Sequence, residues 1–390
     1  MTPTLLLACT MLLAGCLETD DATEATSLSV TLVAPDGMTQ ADMGGKSVTL
    51  KSIEGRVVTL TTDGEGVAKT GELIPDIYTV AASWDLEGDL YVAGSLPQQQ
   101  ITTAQELTLS MRQLTRTSLV LSKIYMACSK DNNGVNYQTG QYLTIFNQSD
   151  TPQDVAGLYI GLLDAGSSMA YTLDNLHEQH ADSVVLLKQI YRIPADQPCL
   201  LEPATELLIC NSAIDHSQYS SMEHSLTDAD FEAKDATMKV TNNPHVPALE
   251  AVYIQANTTI SNINLTRGGP CGVVIFRTDE DVTALPQTYK YPNTATKGTR
   301  WVLLPKRMIV DGVDILKYKA TGVDLATKRL YSDIDAGYVT LTTTNGWNGE
   351  VIYRRLSDMK TPGGNPMLQD TNNSQNDFTT STTIAPRELE

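Results

Sequence analysis

Basic residues are scarce in this 390-residue sequence, because 27 Lys and Arg stand against 46 Asp and Glu and the net charge is −19. Proteins that bind DNA or RNA need clustered Lys and Arg to neutralise phosphates, so nucleic acid is excluded as the main partner. Long apolar runs are also missing, since no stretch approaches the roughly 18 residues of a membrane-spanning helix. An apolar fraction of 41% is nevertheless ordinary for a folded globular protein.

The amino terminus has the pattern of an export signal. The apolar segment 5–15 is too short to span about 30 Å of hydrocarbon. It ends in Leu13-Ala14-Gly15-Cys16, which resembles the lipobox of bacterial lipoproteins, where the cysteine is acylated before the signal is cleaved. We therefore expect a signal peptide over residues 1–15 and a lipid anchor on Cys16. A plain secretory signal with a chance cysteine is the alternative.

An acidic tether is predicted over residues 16–26. Its acidic residues are Glu18, Asp20, Asp21 and Glu24. Position 17 is Leu, so the aspartate that retains lipoproteins in the inner membrane is missing. The tether resembles the export signal of surface lipoproteins in Bacteroidota, although solvated linkers have similar compositions. We expect a lipid-anchored protein of the outer membrane that faces the cell surface.

Cysteines beyond the anchor are few. They are Cys128, Cys199, Cys210 and Cys271. An exported protein can retain disulfides, and four thiols allow three pairings. Cys199 and Cys210 flank the turn-like segment 202–204, so they are the first choice for a bridge. A zinc site of four cysteines would show closely spaced pairs, and none occurs here.

Residues 27–114 alternate between apolar and polar side chains. The apolar positions include Leu28, Val30, Leu32, Val48, Leu50, Val58 and Leu60. Turn signals at Asp36-Gly37, Glu54-Gly55 and Asp63-Gly64 separate these runs, which predicts a small antiparallel β-sandwich. Segments 61–66 and 71–80 resemble the carboxypeptidase-regulatory-like (prealbumin-like) domain. That resemblance implies a spacer or docking module.

Residues 115–390 form the predicted second domain. Segments 119–125, 141–150 and 155–160 resemble the lamin-tail-like domain, an immunoglobulin-type sandwich in which an Asn-x-Ser-Asp turn separates two core strands. Here that turn is Asn147-Gln148-Ser149-Asp150. The region is longer than the usual lamin-tail-like core, so we expect long insertions at one end, chiefly over 211–247 and 278–299.

Several segments occur in the order of one known family. They are Ile193-Pro194, Leu201-Glu202-Pro203, Ala213-Ile214-Asp215-His216, 226–232, 309–314, 335–338 and 368–374. This order resembles a lipoprotein family of unknown function in Bacteroidota, which joins a regulatory-like sandwich to an enlarged lamin-tail-like sandwich. The resemblance implies an all-β protein with two immunoglobulin-like β-sandwich domains. It brings no established reaction with it.

Candidate metal ligands lie in four places. His177 and His180 are three residues apart and would share one face of a helix, with Glu178 or Asp182 as a third ligand. A second histidine loop contains Asp215, His216, Glu223 and His224. Two oxygen-rich loops, 131–134 and 370–373 with Asp370 and Asp377, could supply calcium ligands. Surface turns and Asx turns without metal are the alternatives, and no cofactor is predicted.

Catalytic motifs such as Gly-x-Ser-x-Gly, Ser-x-x-Lys and His-Glu-x-x-His are not found in a convincing context, so no enzyme is predicted. Trp347 lies between turn-forming residues and is the candidate for ligand or partner contact, because we expect it at an exposed loop tip. The sequence favours a non-catalytic binding or accessory protein, which could accompany a TonB-dependent transporter or another envelope protein. An envelope hydrolase and a structural or adhesive surface protein are the alternatives.

Overall fold

The computed structural model describes residues 25–88, 90–163, 171–234, 241–255 and 262–390. The predicted signal over residues 1–15, the anchor at Cys16 and the tether up to residue 24 lie outside these ranges. Within them, no helix has both the length and the apolar character needed to cross a membrane.

Two sheets form between residues 26 and 115. Their strands are β1 Thr26–Val33, β2 Ser47–Ser52, β3 Val57–Thr61, β4 Val67–Leu73, β5 Asp76–Asp85, β6 Leu90–Ile101, β7 Gln105–Ser110 and β8 Arg112–Thr115, with a 3₁₀ turn at Gln40–Met43. One sheet has the order β4-β1-β7 and the other β3-β2-β5-β6-β8. The pairing of β1 with β7 is parallel, and the other pairings are antiparallel.

The first core follows from the alternation in the sequence. In β1, Leu28, Val30 and Leu32 are buried, and the residues between them are more exposed. These side chains pack with Val48 and Leu50 of β2 in one apolar cluster. A period of two places every second side chain on the same face, so one sheet face is covered by the other sheet and one faces water.

The later strands begin at residue 119. They are β9 Leu119–Tyr125, β10 Ser129–Lys130, β11 Asn136–Tyr137, β12 Tyr142–Asn147, β13 Gln153–Asp154, β14 Tyr159–Leu163, β15 Val184–Arg192, β16 Leu200–Leu201, β17 Glu206–Cys210, β18 Phe231–Glu232, β19 Glu250–Ile254, β20 Val273–Phe276, β21 Gln287–Thr288, β22 Trp301–Pro305, β23 Ile309–Val313, β24 Lys317–Lys319, β25 Gly322–Asp324, β26 Val351–Arg354, β27 Leu356–Lys360, β28 Pro366–Leu368 and β29 Phe378–Ser381. The helices are α1 Leu173–His180 and α2 Ser374–Asp377, with 3₁₀ turns at His216–Gln218, Val282–Ala284, Lys306–Met308 and Leu325–Thr327.

Two large sheets share the second core. One has the order β18-β17-β12-β9-β26-β29, and the other β21-β22-β15-β14-β20-β23 with β19 paired to β15. The second sheet is covered on both faces. In β20, Val273 and Ile275 pack into the core between the sheets, whereas Val274 and Phe276 pack into a further cluster that includes Leu176 of α1. This double burial explains why these strands are continuous apolar runs.

The predicted insertions extend the cores. Leu226 and Phe231, in the insertion over 211–247, pack between the two large sheets. Val282 and Leu285, in the insertion over 278–299, pack in the cluster beside α1. The described parts of both insertions therefore contribute apolar side chains to the packed interior, which a long surface loop would not do.

The first pair of sheets contacts the second pair through polar groups. Asn373 donates from its side-chain amide to Ser95 Oγ at 3.3 Å, and the Lys51 ammonium donates to the carbonyl of Gln375. The prediction of an all-β sandwich fold is confirmed. The division into domains at residues 114 and 115 stays a prediction.

Candidate functional site

A cleft of about 690 Å³ lies between β6 and the face of the second pair of sheets that carries α1. Gln98 of β6 contributes one wall, and α1 with residues 325–333 contributes the opposite wall. The ionisable side chains that line it are Asp174, His177, Asp182, Lys306, Lys328 and Asp333. Ligand sites commonly form in such clefts between two structural units.

Helix α1 is fixed at both ends. At its start, the Thr172 hydroxyl accepts a hydrogen bond from the backbone N–H of Asn175 at 3.2 Å, and the Asn175 side chain completes the capping box. At its end, Ala181 has a φ of 48°, in the left-handed region. Leu176 is buried in the cluster beneath the helix. This packing leaves the polar side of α1 toward the cleft.

The predicted histidine pair is divided between two environments. His177 faces the cleft, where its Nδ1 lies 3.0 Å from Asp182 Oδ2. His180 packs against Tyr171, and burial lowers the pKa of His180. Glu178 accepts a hydrogen bond from a tyrosine hydroxyl instead. The described part of the chain contains no group of three His, Cys, Asp or Glu placed to hold a metal. His177 of α1 and Asp182, two residues beyond the helix, form a histidine–carboxylate pair.

A lysine–carboxylate ion pair also lines the cleft. Lys306 Nζ is 2.6 Å from Asp333 Oδ2 and 5.5 Å from the ring centroid of Tyr331. The Tyr331 hydroxyl donates to the carbonyl of Val184, which holds the ring in place. Burial raises the pKa of Tyr331, so the phenol stays neutral near pH 7. The cleft therefore presents cationic and anionic groups around apolar side chains.

Sequence reasoning did not find the Lys306–Asp333 pair. Neither residue lies in a recognisable motif, and Gln98 on the other wall is more than 200 residues away in sequence. Lys306 follows the end of strand β22 at Pro305 and begins a 3₁₀ turn, but strand periodicity does not show which sheet the end of a strand will face. Asp182 was named as a metal ligand, and the structure does place it beside His177.

The predicted calcium ligands Asp370 and Asp377 surround a guanidinium group. Arg354 lies 3.1 Å from Asp370, 3.7 Å from Asp377 and 2.7 Å from Asp311, and all four side chains are buried. Burial raises the pKa of Asp377 to about 7 and that of Asp311 to about 6. This corrects the metal prediction, because Arg354 supplies the cation. The Asp131 loop is an Asx turn, whose carboxylate accepts backbone N–H groups two and four residues later.

The second histidine loop forms a buried hydrogen-bond network. His216 is fully buried, with Nδ1 2.5 Å from the Tyr137 hydroxyl and Nε2 2.7 Å from the carbonyl of Ser212. Glu223 accepts hydrogen bonds from a tyrosine and a serine hydroxyl. Burial lowers the pKa of His216 and raises that of Glu223. Since both ring nitrogens of His216 have protein partners, this loop offers neither a metal ligand nor a free base there.

The structure corrects the predicted disulfides, because Cys128, Cys199, Cys210 and Cys271 are all free. The segments around the first-choice bridge belong to different sheets. Leu200–Leu201 pairs with Gln153–Asp154, whereas Glu206–Cys210 pairs with β12. Cys210 is buried in the core, and Cys199 is half-buried. The predicted turn at 202–204 does form, but the two strands that it joins pair with different partners and not with each other.

Trp347 is half-buried and does not stand free at a loop tip. Its φ is 66°, and its backbone N–H donates to the carbonyl of Ala127 at 2.8 Å. The guanidinium carbon of Arg267 lies 3.9 Å from the ring centroid, and Lys130 Nζ lies 5.4 Å from it. The indole is thus held by cations and backbone, away from the cleft lining.

A family model matches part of the chain. A family model described as a protein of unknown function, DUF4876, matches residues 202–385. The motif order in the sequence predicted a family of unknown function. No curated protein sequence matches the chain.

Solved structures support the fold. The crystal structure of a DUF4876 family protein from Bacteroides thetaiotaomicron VPI-5482, at 2.50 Å resolution, matches with a TM-score of 0.59 and 19% identity, covering 94% of this chain and 98% of that chain. The full-length major pilin SpaD from Corynebacterium diphtheriae has a TM-score of 0.17 and 10% identity, covering 49% and 68%, and carries no structural argument. The Bacteroides structure shows that the same fold extends over nearly the whole chain.

Proposed function

We propose that this protein is a non-catalytic binding component of the cell envelope, anchored in the outer membrane by lipid on Cys16, with its ligand site in the cleft between the two pairs of sheets. The observation that carries the proposal is the cleft itself. Its volume of about 690 Å³ lies within the range of small-molecule sites, roughly 300–1,000 Å³. Both pairs of sheets line it, so a ligand there would contact both.

The cleft chemistry favours a ligand that carries both charges. Lys306 and Asp333 form one pair in the cleft lining, and His177 and Asp182 form another. The carboxylate and ammonium of a zwitterionic ligand could form charged hydrogen bonds with the members of these pairs, and such bonds are stronger than neutral ones. Leu173, Leu325 and Tyr331 add apolar side chains to the lining. Amino acids and short peptides have this combination of charge and apolar surface.

The anchor rests on the lipobox and the acidic tether. Several acyl chains on one cysteine would hold the protein firmly, because each buried CH₂ contributes about 0.8 kcal/mol. A protein held in this way could accompany an outer-membrane transporter, such as a TonB-dependent one. Affinity purification of the tagged full chain from detergent-solubilised outer membranes tests that association, and recovery of the chain without a transporter counts against it.

The cleft is tested by titrating the protein with zwitterionic dipeptides, with a neutral disaccharide as the control probe. We expect the dipeptides to raise the melting temperature and to shift NMR signals of cleft residues. Lys306→Gln removes one ion pair and should weaken dipeptide binding about tenfold, as expected for a lost charged hydrogen bond. Isothermal titration calorimetry measures the change in Kd.

The matched control is Lys69→Gln, since Lys69 is an exposed lysine on β4 outside the cleft. It should leave dipeptide affinity unchanged. Binding that is equally weakened by both substitutions would show that overall charge, and not the cleft, determines affinity. If no dipeptide binds, the assignment of a zwitterionic ligand fails.

A further inference from the structure

Strand β3 is an open edge of the five-stranded sheet in the first part of the chain. It pairs with β2 on one side, and no described strand pairs with its other side. Its sequence, Val57-Val58-Thr59-Leu60-Thr61, contains no charged residue and no proline, and its register with β2 has no bulge. Natural edge strands are usually protected against pairing by such devices. The other three edge strands of the first two sheets all carry charge: Lys69 and Glu72 on β4, Glu106 on β7 and Arg112 on β8.

Every second residue of β3 directs its backbone groups away from the sheet. The carbonyl of Arg56, just before β3, accepts from the N–H of Ser52 at 2.8 Å. The N–H of Thr62, just after β3, donates to the carbonyl of Lys46 at 2.9 Å. Arg56 and Thr62 therefore face β2, and because backbone groups alternate in direction along an antiparallel strand, the first, third and fifth residues of β3 face outward. No hydrogen bond from another described residue reaches these outward groups. The three outward residues are Val57, Thr59 and Thr61.

The side chains of β3 are also incompletely covered. Val58 and Leu60 pack against the first apolar core but are only half-buried. Val57, Thr59 and Thr61 are exposed on the opposite face. An extended peptide presents backbone donors and acceptors with the same two-residue repeat as the open edge, so another β-strand is the occupant that this edge fits.

The sequence of β3 is complementary to itself. When two copies pair antiparallel about Thr59, Val57 of each copy lies opposite Thr61 of the other, so the outward residues of both copies face one another. These three residue pairs would exchange about six backbone hydrogen bonds. On the core side, Val58 of each copy faces Leu60 of the other, so each half-buried side chain gains apolar cover. Both contacts are the same from either copy, as two-fold symmetry requires.

Local charge does not oppose this pairing. In the same register, Arg56 lies opposite Thr62 and Asp63 lies opposite Gly55, so neither charge faces a like charge. The paired outward side chains are all β-branched, and such side chains pack well across neighbouring strands. A second copy of this chain therefore meets the hydrogen-bonding, packing and charge requirements of the edge.

We propose that β3 is a dimerisation edge, at which two copies of this chain pair antiparallel about Thr59 and join their five-stranded sheets. The dimer is weak, because one pair of short strands buries little surface and two chains of net charge −19 repel each other. The proposal goes beyond the proposed function and requires neither the anchor nor the cleft, since no residue of β3 lines the cleft.

Sedimentation velocity tests the dimer with the full chain that carries Cys16→Ser, so that no lipid is attached, in a reducing buffer. We expect a monomer–dimer equilibrium between about 1 and about 500 µM protein. Thr59→Pro removes an outward N–H without removing a hydrogen bond to β2, as proline in natural edge strands does. It should weaken dimerisation about tenfold or more, because two hydrogen bonds across the axis are lost.

Thr59→Val is the matched control for the proline variant. It keeps the backbone N–H and the shape of the side chain, so it should dimerise like the parent chain. Circular dichroism confirms that each variant is folded. If Thr59→Pro does not fold, the cross-linking variants below decide the matter, because they leave every backbone N–H in place.

A cross-link tests the register. Thr59→Cys places two thiols on residues that face each other with Cα atoms about 5.5 Å apart, a separation that a disulfide spans. Val57→Cys is the matched control, because the same residue of the second copy lies four residues away, about 13 Å along the strand. Under mild oxidation, we expect a covalent dimer from Thr59→Cys in non-reducing electrophoresis. Val57→Cys should give no more dimer than the parent chain.

Three results would overturn the proposal. A parent chain that stays monomeric over the whole concentration range would leave the edge to a strand of another protein. A folded Thr59→Pro chain that dimerises like the parent chain would show that the dimer forms elsewhere. Equal cross-linking of Thr59→Cys and Val57→Cys would exclude the pairing about Thr59.

Discussion

At the scale of single residues, a buried charged side chain on one of the two large sheets is paired with a side chain of opposite charge. Lys123 on β9 is buried, and its Nζ lies 2.6 and 2.8 Å from the two carboxylate oxygens of Glu206. Burial lowers the pKa of Lys123, and the carboxylate opposes that shift. Thr144 donates a further hydrogen bond to Glu206 at 3.2 Å. The pair allows a lysine to occupy a strand that is otherwise apolar.

Removing one member of this pair should be costly. Glu206→Leu leaves the Lys123 ammonium buried without a counter-charge, so we expect a loss of about 3–5 kcal/mol in the free energy of unfolding. Adding Lys123→Met should recover much of that loss, because no charge then remains buried. Urea denaturation measures both variants. If Glu206→Leu alone were as stable as the parent chain, this account of the buried pair would be wrong.

The cysteines give a second residue-scale prediction. Burial raises the pKa of Cys128 to about 12, which suppresses the reactive thiolate, whereas Cys199 is only half-buried. We expect Cys199 to react first with Ellman's reagent in the native chain that carries Cys9→Ser and Cys16→Ser, so that only the four downstream thiols are counted. In denaturant without reductant, all four downstream thiols should react. Two reactive thiols would instead support the bridge that the sequence suggested.

Among the secondary-structure elements, α2 and the loop before it hold two of the carboxylates that surround Arg354. The pKa of Asp377 in the folded protein is about 7, above the ordinary value of 3.8. Between pH 3.8 and about 7, the Asp377 carboxyl is therefore protonated in the folded state and ionised in the unfolded state. This contribution to stability is present at low pH and is lost as the pH rises through about 7.

Asp377→Asn should make the free energy of unfolding depend less steeply on pH in this range. Between pH 8 and pH 6, protonation of Asp377 should add about 1 kcal/mol to the stability of the parent chain. The amide cannot titrate, and it also loses an acceptor for Thr371, so the slope is the readout and not the absolute stability. Urea midpoints at several pH values measure it, with Glu54→Gln, an exposed carboxylate, as the control. An unchanged slope in Asp377→Asn would refute the assignment.

The elements also show what the sequence could predict. The alternation in β1 and β2 was sufficient to predict the first sandwich, because one face of each sheet is exposed. In β20 every residue is buried, so periodicity could not assign its side chains to the two clusters that they join. Trp347 was found from its turn-forming neighbours, but its cover by Arg267, 80 residues earlier, depends on tertiary packing.

For the whole molecule, the cleft is built from separate segments of the chain, so no local sequence pattern could predict it. The cleft needs Gln98, His177 and Lys306 together, and these lie on three separate parts of the chain. Motif order did predict a family of unknown function, and a family model of that kind matches residues 202–385. The residues that line the cleft form no sequence motif, which is why the fold was easier to predict than any ligand.

The most direct test of the proposed function concerns the anchor. The chain is expressed with its own amino terminus in a bacterium that processes lipoproteins, and the amino-terminal peptide from the membrane fraction is analysed by mass spectrometry. We predict a peptide that begins at Cys16 and carries a diacylglyceryl group with an acylated amine. A peptide that begins at Met1, or an unmodified Cys16 on a chain recovered outside the membrane fraction, would contradict the envelope assignment.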